Sequence, residues 1–61
     1  MVKIGDKIHI TYMKDEPDYT DRVGRVMFID GIGQIHGTWG GCALIPGTDE
    51  FEIIEWKGVD S

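Results

Sequence analysis

The chain carries few groups able to make or break a bond. Cys42 is the single cysteine, His9 and His36 are the only histidines, and the one serine is Ser61 at the end of the sequence. A cysteine nucleophile needs a base within reach or a cationic setting that favours its thiolate. Cys42 lies instead in the apolar run Cys42-Ala43-Leu44-Ile45, where a small buried thiol is the ordinary outcome. The cysteine and the histidines are widely spaced and include no His-x-His or Cys-x-x-Cys pair, so a zinc site is not expected. Asp15, Asp18 and Asp21 recur at every third position, whereas an EF-type calcium loop needs oxygen ligands at alternate positions, two of which Pro17 and Tyr19 occupy here. A solvated acidic loop follows, with no metal and no cofactor. Gly31-Ile32-Gly33 and Gly40-Gly41 do not lead into a helix that could hold a phosphate, so they read as hairpin turns, with Gly40-Gly41 a minor candidate for an anion nest.

Binding chemistry is better represented than reactive chemistry. Arg22 and Arg25 are two of only six cationic side chains, and a guanidinium matches a phosphate or carboxylate by two parallel hydrogen bonds. His36 and Thr38 share the polar face of one strand pattern, and Tyr12, Tyr19 and Trp39 supply rings able to stack. This set, Arg22, Arg25, His36, Thr38, Trp39, Tyr12 and Tyr19, is the candidate ligand-binding constellation. Each member has a structural alternative. The arginines could neutralise Asp21 and the acidic loop, and Trp39 could fill the core. Trp56 is a large ring near the end of a small chain, a candidate for sealing a subunit interface.

The elements that must position these residues are strands. Nine isoleucines, four valines and four threonines stand against one leucine and one alanine, a composition of strand formers. Lys7 to Met13 alternates, with Ile8, Ile10 and Tyr12 on one face. Lys14 to Asp21 is too polar to bury and holds Pro17, so it reads as a long exposed loop. Arg22 to Asp30 resumes a strand, with Val26 and Phe28 on one face, Met27 and Ile29 on the other, and Gly24 a candidate bulge. Gln34 to Trp39 points Ile35, Gly37 and Trp39 inward. Cys42 to Ile45 forms a fourth strand ended by Pro46-Gly47, and Phe51 to Trp56 a fifth, with Phe51, Ile53 and Glu55 opposite Glu52, Ile54 and Trp56; the tail from Lys57 frays. Five short strands in 61 residues close most economically as one small all-β, SH3-like barrel, with an OB-like barrel as the alternative.

Eleven acidic against six basic side chains give a net charge of −5, which disfavours a nucleic-acid partner. No apolar run approaches the roughly 18–20 residues of a membrane span, and the first ten residues carry Lys3, Asp6 and Lys7 rather than a signal-peptide core. A cytoplasmic protein is expected.

The stretches Gly5-Asp6-Lys7-Ile8-His9-Ile10, Gly24-Arg25-Val26, Gly31-Ile32-Gly33-Gln34-Ile35-His36, Trp39 and Ala43-Leu44-Ile45-Pro46-Gly47-Thr48-Asp49 resemble a family of short domains of unknown function. The family occurs in bacteriophages and mobile elements of Gram-positive bacteria. The resemblance spans about Ile4 to Ile54 and implies an SH3-type barrel without a catalytic motif. Gly37 departs from the β-branched residue usual in that family, leaving a bulge or an opening in the inner face. The phage context implies a non-catalytic counter-defence role. The first expectation is an oligomeric sponge that sequesters a nucleotide-derived immune signal, an ADP-ribose conjugate or cyclic nucleotide, in the host bacterial cytoplasm. The second is a protein-protein module in which the loop from Lys14 to Arg22 and the ring of Trp39 hold a basic peptide of a host protein. A nucleic-acid accessory role is a weaker third.

Overall fold

The structure is a computed structural model in which residues 2–55 are described. The expectations for Trp56 and the tail from Lys57 fall outside those residues. Among the described residues the protein is all-β: β1 (Lys7–Tyr12), β2 (Val23–Ile29), β3 (Ile35–Gly37) and β4 (Glu50–Glu55), with one 3₁₀ turn at Pro17–Tyr19. All neighbours pair antiparallel in one open four-stranded sheet of order β3-β2-β1-β4. No helix among the described residues is long and apolar enough to cross a membrane.

The core lies on one side of this sheet. Ile8 and Ile10 of β1, Val26 of β2 and Ile35 of β3 pack with Met13, Trp39 and Leu44. Such burial contributes about 1.5–3 kcal/mol per large side chain, against a margin that for 61 residues is only about 3–9 kcal/mol.

The expected fourth strand, Cys42 to Ile45, is reduced to one antiparallel bridge, Ile35 to Leu44, with the Leu44 N–H donating to the Ile35 carbonyl at 2.8 Å and the Ile35 N–H to the Leu44 carbonyl at 2.9 Å. Two features stop a ladder there. The Trp39 indole donates to the Cys42 carbonyl at 2.9 Å, taking an acceptor a strand would use, and Pro46 has no N–H to offer.

Three register shifts correct the expected side-chain faces. Ile10 pairs with Phe51 but Tyr12 with Glu50, so Thr11 is an inserted residue. Past it the alternation reverses: Tyr12 points outward and Met13, not Tyr12, enters the core. Val26 pairs with Gly37 but Phe28 with His36, which makes Met27 a second bulge. Phe28 therefore leaves the face of Val26 and joins His36 on the outside. Lys7 opposite Glu55 and Ile8 opposite Ile53 place the third shift at Ile54, so Glu55 lies beside Lys7 rather than with Ile53. Gly24 pairs regularly with Ile8 and is not a bulge.

The β2–β3 hairpin follows its turn chemistry. Gly33 adopts φ 85°, and the Asp30 side chain accepts the backbone N–H groups of Ile32 at 3.1 Å and Gln34 at 2.9 Å.

Candidate functional site

The expected constellation divides into separate clusters. Arg22 donates through Nη1 to the Trp39 carbonyl at 2.7 Å and through Nε to the Asp18 carbonyl at 3.3 Å, while its guanidinium lies 4.1 Å from the centre of the Tyr19 ring. It thus ties the acidic loop to the end of the third strand pattern and, among the described residues, forms no ion pair with an acidic side chain. Trp39 is 4% exposed, so its ring is a core element and not a stacking surface.

Arg25 donates to the Gly5 carbonyl at 2.9 Å and pairs with Glu55, fastening the chain before β1 and the end of β4 to β2. The Thr38 hydroxyl accepts the Arg25 N–H at 3.0 Å. Gly37 opens no pocket: a Cβ there would overlap the Trp39 ring and the Arg25 carbonyl. The tryptophan fills the space that the missing side chain leaves.

His36 stacks on Phe28 with ring centres 4.3 Å apart and planes 3° from parallel, and bonds through Nε2 to Asp30 at 2.9 Å. That bond, helped by the Gln34 N–H, holds the Asp30 carboxyl below its ordinary value. Tyr12 stands exposed at the end of β1, across from Glu50.

His9 lies outside the expected binding set, yet it has the most developed polar setting. Its Nδ1 meets Glu52 at 3.1 Å and its Nε2 meets Asp21 at 3.0 Å. A neutral imidazole has one N–H, so only the imidazolium donates to both carboxylates. Its pKa is raised, chiefly by the hydrogen bond to Asp21 and then by that to Glu52. Asp21 reaches His9 from a left-handed backbone position, φ 70°, that aspartate tolerates better than most residues.

A substantial concavity lies elsewhere. A groove of about 230 Å³ runs between Met13–Glu16 and Cys42–Asp49, with Met13, Cys42, Ala43 and Ile45 as apolar wall and Lys14, Asp15, Glu16, Thr48 and Asp49 as polar lining. None of the seven expected ligand residues lines it. Asp49, 6% exposed, holds its two sides together: Oδ1 accepts the Lys14 N–H at 2.9 Å and Oδ2 the Ile45 N–H at 2.8 Å. Asp15 and Glu16 are exposed at the rim, and their carboxylates make no side-chain bond within the described fold. The sequence carried one signal for this groove, the Pro46-Gly47-Thr48-Asp49 turn, since an aspartate closing a turn commonly accepts nearby backbone N–H groups.

No family model, curated protein or solved structure matches this chain.

Proposed function

We propose that the protein is a non-catalytic binding module that holds a basic, extended polypeptide segment in the groove between Met13–Glu16 and Cys42–Asp49. The observation that carries this reading is the pairing of an apolar wall with two uncommitted carboxylates, Asp15 and Glu16, at its rim. An aliphatic stem packs on Met13, Ala43 and Ile45 while a guanidinium or ammonium head meets the acids, as long cationic side chains do at apolar surfaces. The net charge of −5 steers a basic partner toward the chain.

Two further points favour a polypeptide over a nucleotide-derived signal. The volume, about 230 Å³, lies below the roughly 300–1,000 Å³ of small-molecule sites and suits individual side chains. Arg22 and Arg25, the groups a phosphate would need, are engaged with Trp39, Asp18, Gly5 and Glu55. A non-catalytic role is supported by the placement of Cys42 in the groove wall while His9 and His36 are bonded to acidic residues outside that lining.

The finer architecture we infer is an SH3-like barrel, in which the acidic loop after β1 flanks the peptide and the Ile35–Leu44 bridge stands in for the expected fourth strand. The resemblance to phage domains adds a setting, the host bacterial cytoplasm, and a target, a host protein whose basic segment is masked as a counter-defence measure.

Selection from a random-peptide display library is the test. Recovered sequences enriched in lysine and arginine, with binding weakened by salt, support the reading. A library that yields no binders, together with a thermal shift on adding an ADP-ribose-type ligand or cyclic nucleotide, overturns it in favour of the sponge.

A further inference from the structure

The charges of this chain are segregated along its length. From Val26 to Thr48 the sequence holds one formally charged residue, Asp30. That aspartate is occupied by His36 and by the backbone N–H groups of Ile32 and Gln34. The rest of the chain carries the other ten acidic side chains.

The uncharged stretch includes an arm of the sheet, the β2–β3 hairpin, that extends past the pairing with β1. On its β1 side, β2 pairs through Val23, Gly24 and Arg25. Val26 then exchanges bonds with the preceding turn, accepting from the Gly5 N–H at 2.8 Å and donating to the Asp6 carbonyl at 2.9 Å. Past Val26, no described strand pairs with β2 on that side, while β3 continues to pair with Phe28 and Ile29 on the other. The Asp30 N–H faces β3, donating to Gln34 at 3.0 Å. Alternation along the strand therefore turns the N–H and C=O of Ile29 toward the open side.

The side chains around this open edge are apolar and exposed: Met27 at 59%, Phe28 at 49% and Ile32 at 80%, with Ile29 also exposed. An apolar strand edge with free backbone groups is a template for another strand, and natural chains usually blunt such an edge with lysine or proline. Here neither residue type stands between Val26 and Ile45.

We propose that this arm is a self-association surface, on which two copies of the chain pair antiparallel about a two-fold axis at Ile29. The occupant is a second copy because charge selects it. Two chains of net charge −5 repel wherever their acidic parts meet, and the arm is the apolar, exposed part of the sheet whose one formal charge, Asp30, is held by His36 and by backbone N–H groups. An isologous contact satisfies the Ile29 N–H and C=O of both copies at once. It also covers Met27 and Ile32, and it leaves the Met13–Asp49 groove outside the contact.

Sedimentation velocity on the full chain, at micromolar and at near-millimolar concentration, tests the surface. The expected result is a concentration-dependent dimer that the double variant Met27→Glu/Ile32→Glu converts to monomer with an unchanged circular-dichroism spectrum. A native chain that stays monomeric throughout, or a folded double variant that associates as strongly as the native chain, overturns the proposal.

Cross-linking tests the register independently. An antiparallel hydrogen-bonded pair separates its Cα atoms by about 5.5 Å, within the roughly 4.4–6.8 Å that a disulfide spans. In a Cys42→Ala background, Ile29→Cys is expected to give a disulfide-linked dimer under mild oxidation, and Tyr12→Cys is not. Equal cross-linking at both positions rules out the two-fold at Ile29.

Discussion

The buried carboxylate of Asp49 accepts the backbone N–H of Lys14 at 2.9 Å across 35 positions of sequence. Its second oxygen accepts the Ile45 N–H, and the Asp49 N–H returns to the Ile45 carbonyl at 2.9 Å. One side chain therefore fixes both walls of the groove. Asp49→Ala leaves two N–H groups without their partners, a loss of about 2–6 kcal/mol at the usual penalty per buried unsatisfied group. That is a large part of the stability of so small a domain, and urea unfolding measures it. Asp49→Asn keeps one acceptor and is expected to fall between the two.

The His9 bridge predicts a pH dependence with a defined sign. Its folded pKa is raised above the ordinary 6.5, so the imidazolium is bound more tightly in the folded chain than in the unfolded one. The stabilisation is fully present below 6.5, down to where the carboxylates protonate, and is lost as pH rises through the raised folded value. The stability gap between the native chain and His9→Gln should be widest in mildly acidic solution and narrow as pH rises through the raised folded value. NMR titration of the His9 ring provides the direct check: Asp21→Asn is expected to lower its pKa more than Glu52→Gln does. An unchanged titration in both variants would contradict the bridge.

Asp30 predicts the opposite trend. Its folded pKa is lowered from 3.8, so its contribution is present above that value and disappears as pH falls through the lower folded one. Asp30→Ala should therefore narrow the stability difference between neutral and strongly acidic solution, measured by thermal melting across the acid range.

Gly37→Ala tests the packing of Trp39. The added Cβ would meet the indole ring and the Arg25 carbonyl, and a backbone carbonyl within a paired strand cannot move aside cheaply. Overpacking of this kind costs about 1–3 kcal/mol. The expected readout is a lower unfolding midpoint. An unaffected midpoint would show that the ring shifts freely.

The all-β class, the first three strands and the Gly31–Gly33 hairpin were legible in the sequence because alternation and glycine chemistry are local signals. Side-chain faces were legible only up to the first bulge on each strand. Thr11, Met27 and Ile54 each add one residue, and because the strand period is two, one added residue reverses everything beyond it. The trace in the sequence is a run of neighbouring apolar residues, Tyr12-Met13, Met27-Phe28-Ile29 or Ile53-Ile54, which strict alternation does not predict. The candidate site was less legible. Arginines and rings suggested a ligand, but a guanidinium serves a backbone carbonyl as well as a phosphate, and only the fold reveals that Trp39 and Gly5 occupy them. The groove depends on Asp49 meeting Lys14, a contact between distant segments that no local pattern encodes.

Chemical-shift mapping in an isotope-labelled chain, titrated with an arginine-rich peptide, tests the central claim most directly. The account predicts that amide shifts concentrate in 13–16 and 42–49, weaken as salt is added, and disappear in Asp15→Asn/Glu16→Gln without loss of folded stability. Shifts centred on Arg25, His36 and Thr38, or a peptide response that survives neutralising both rim carboxylates, would contradict it.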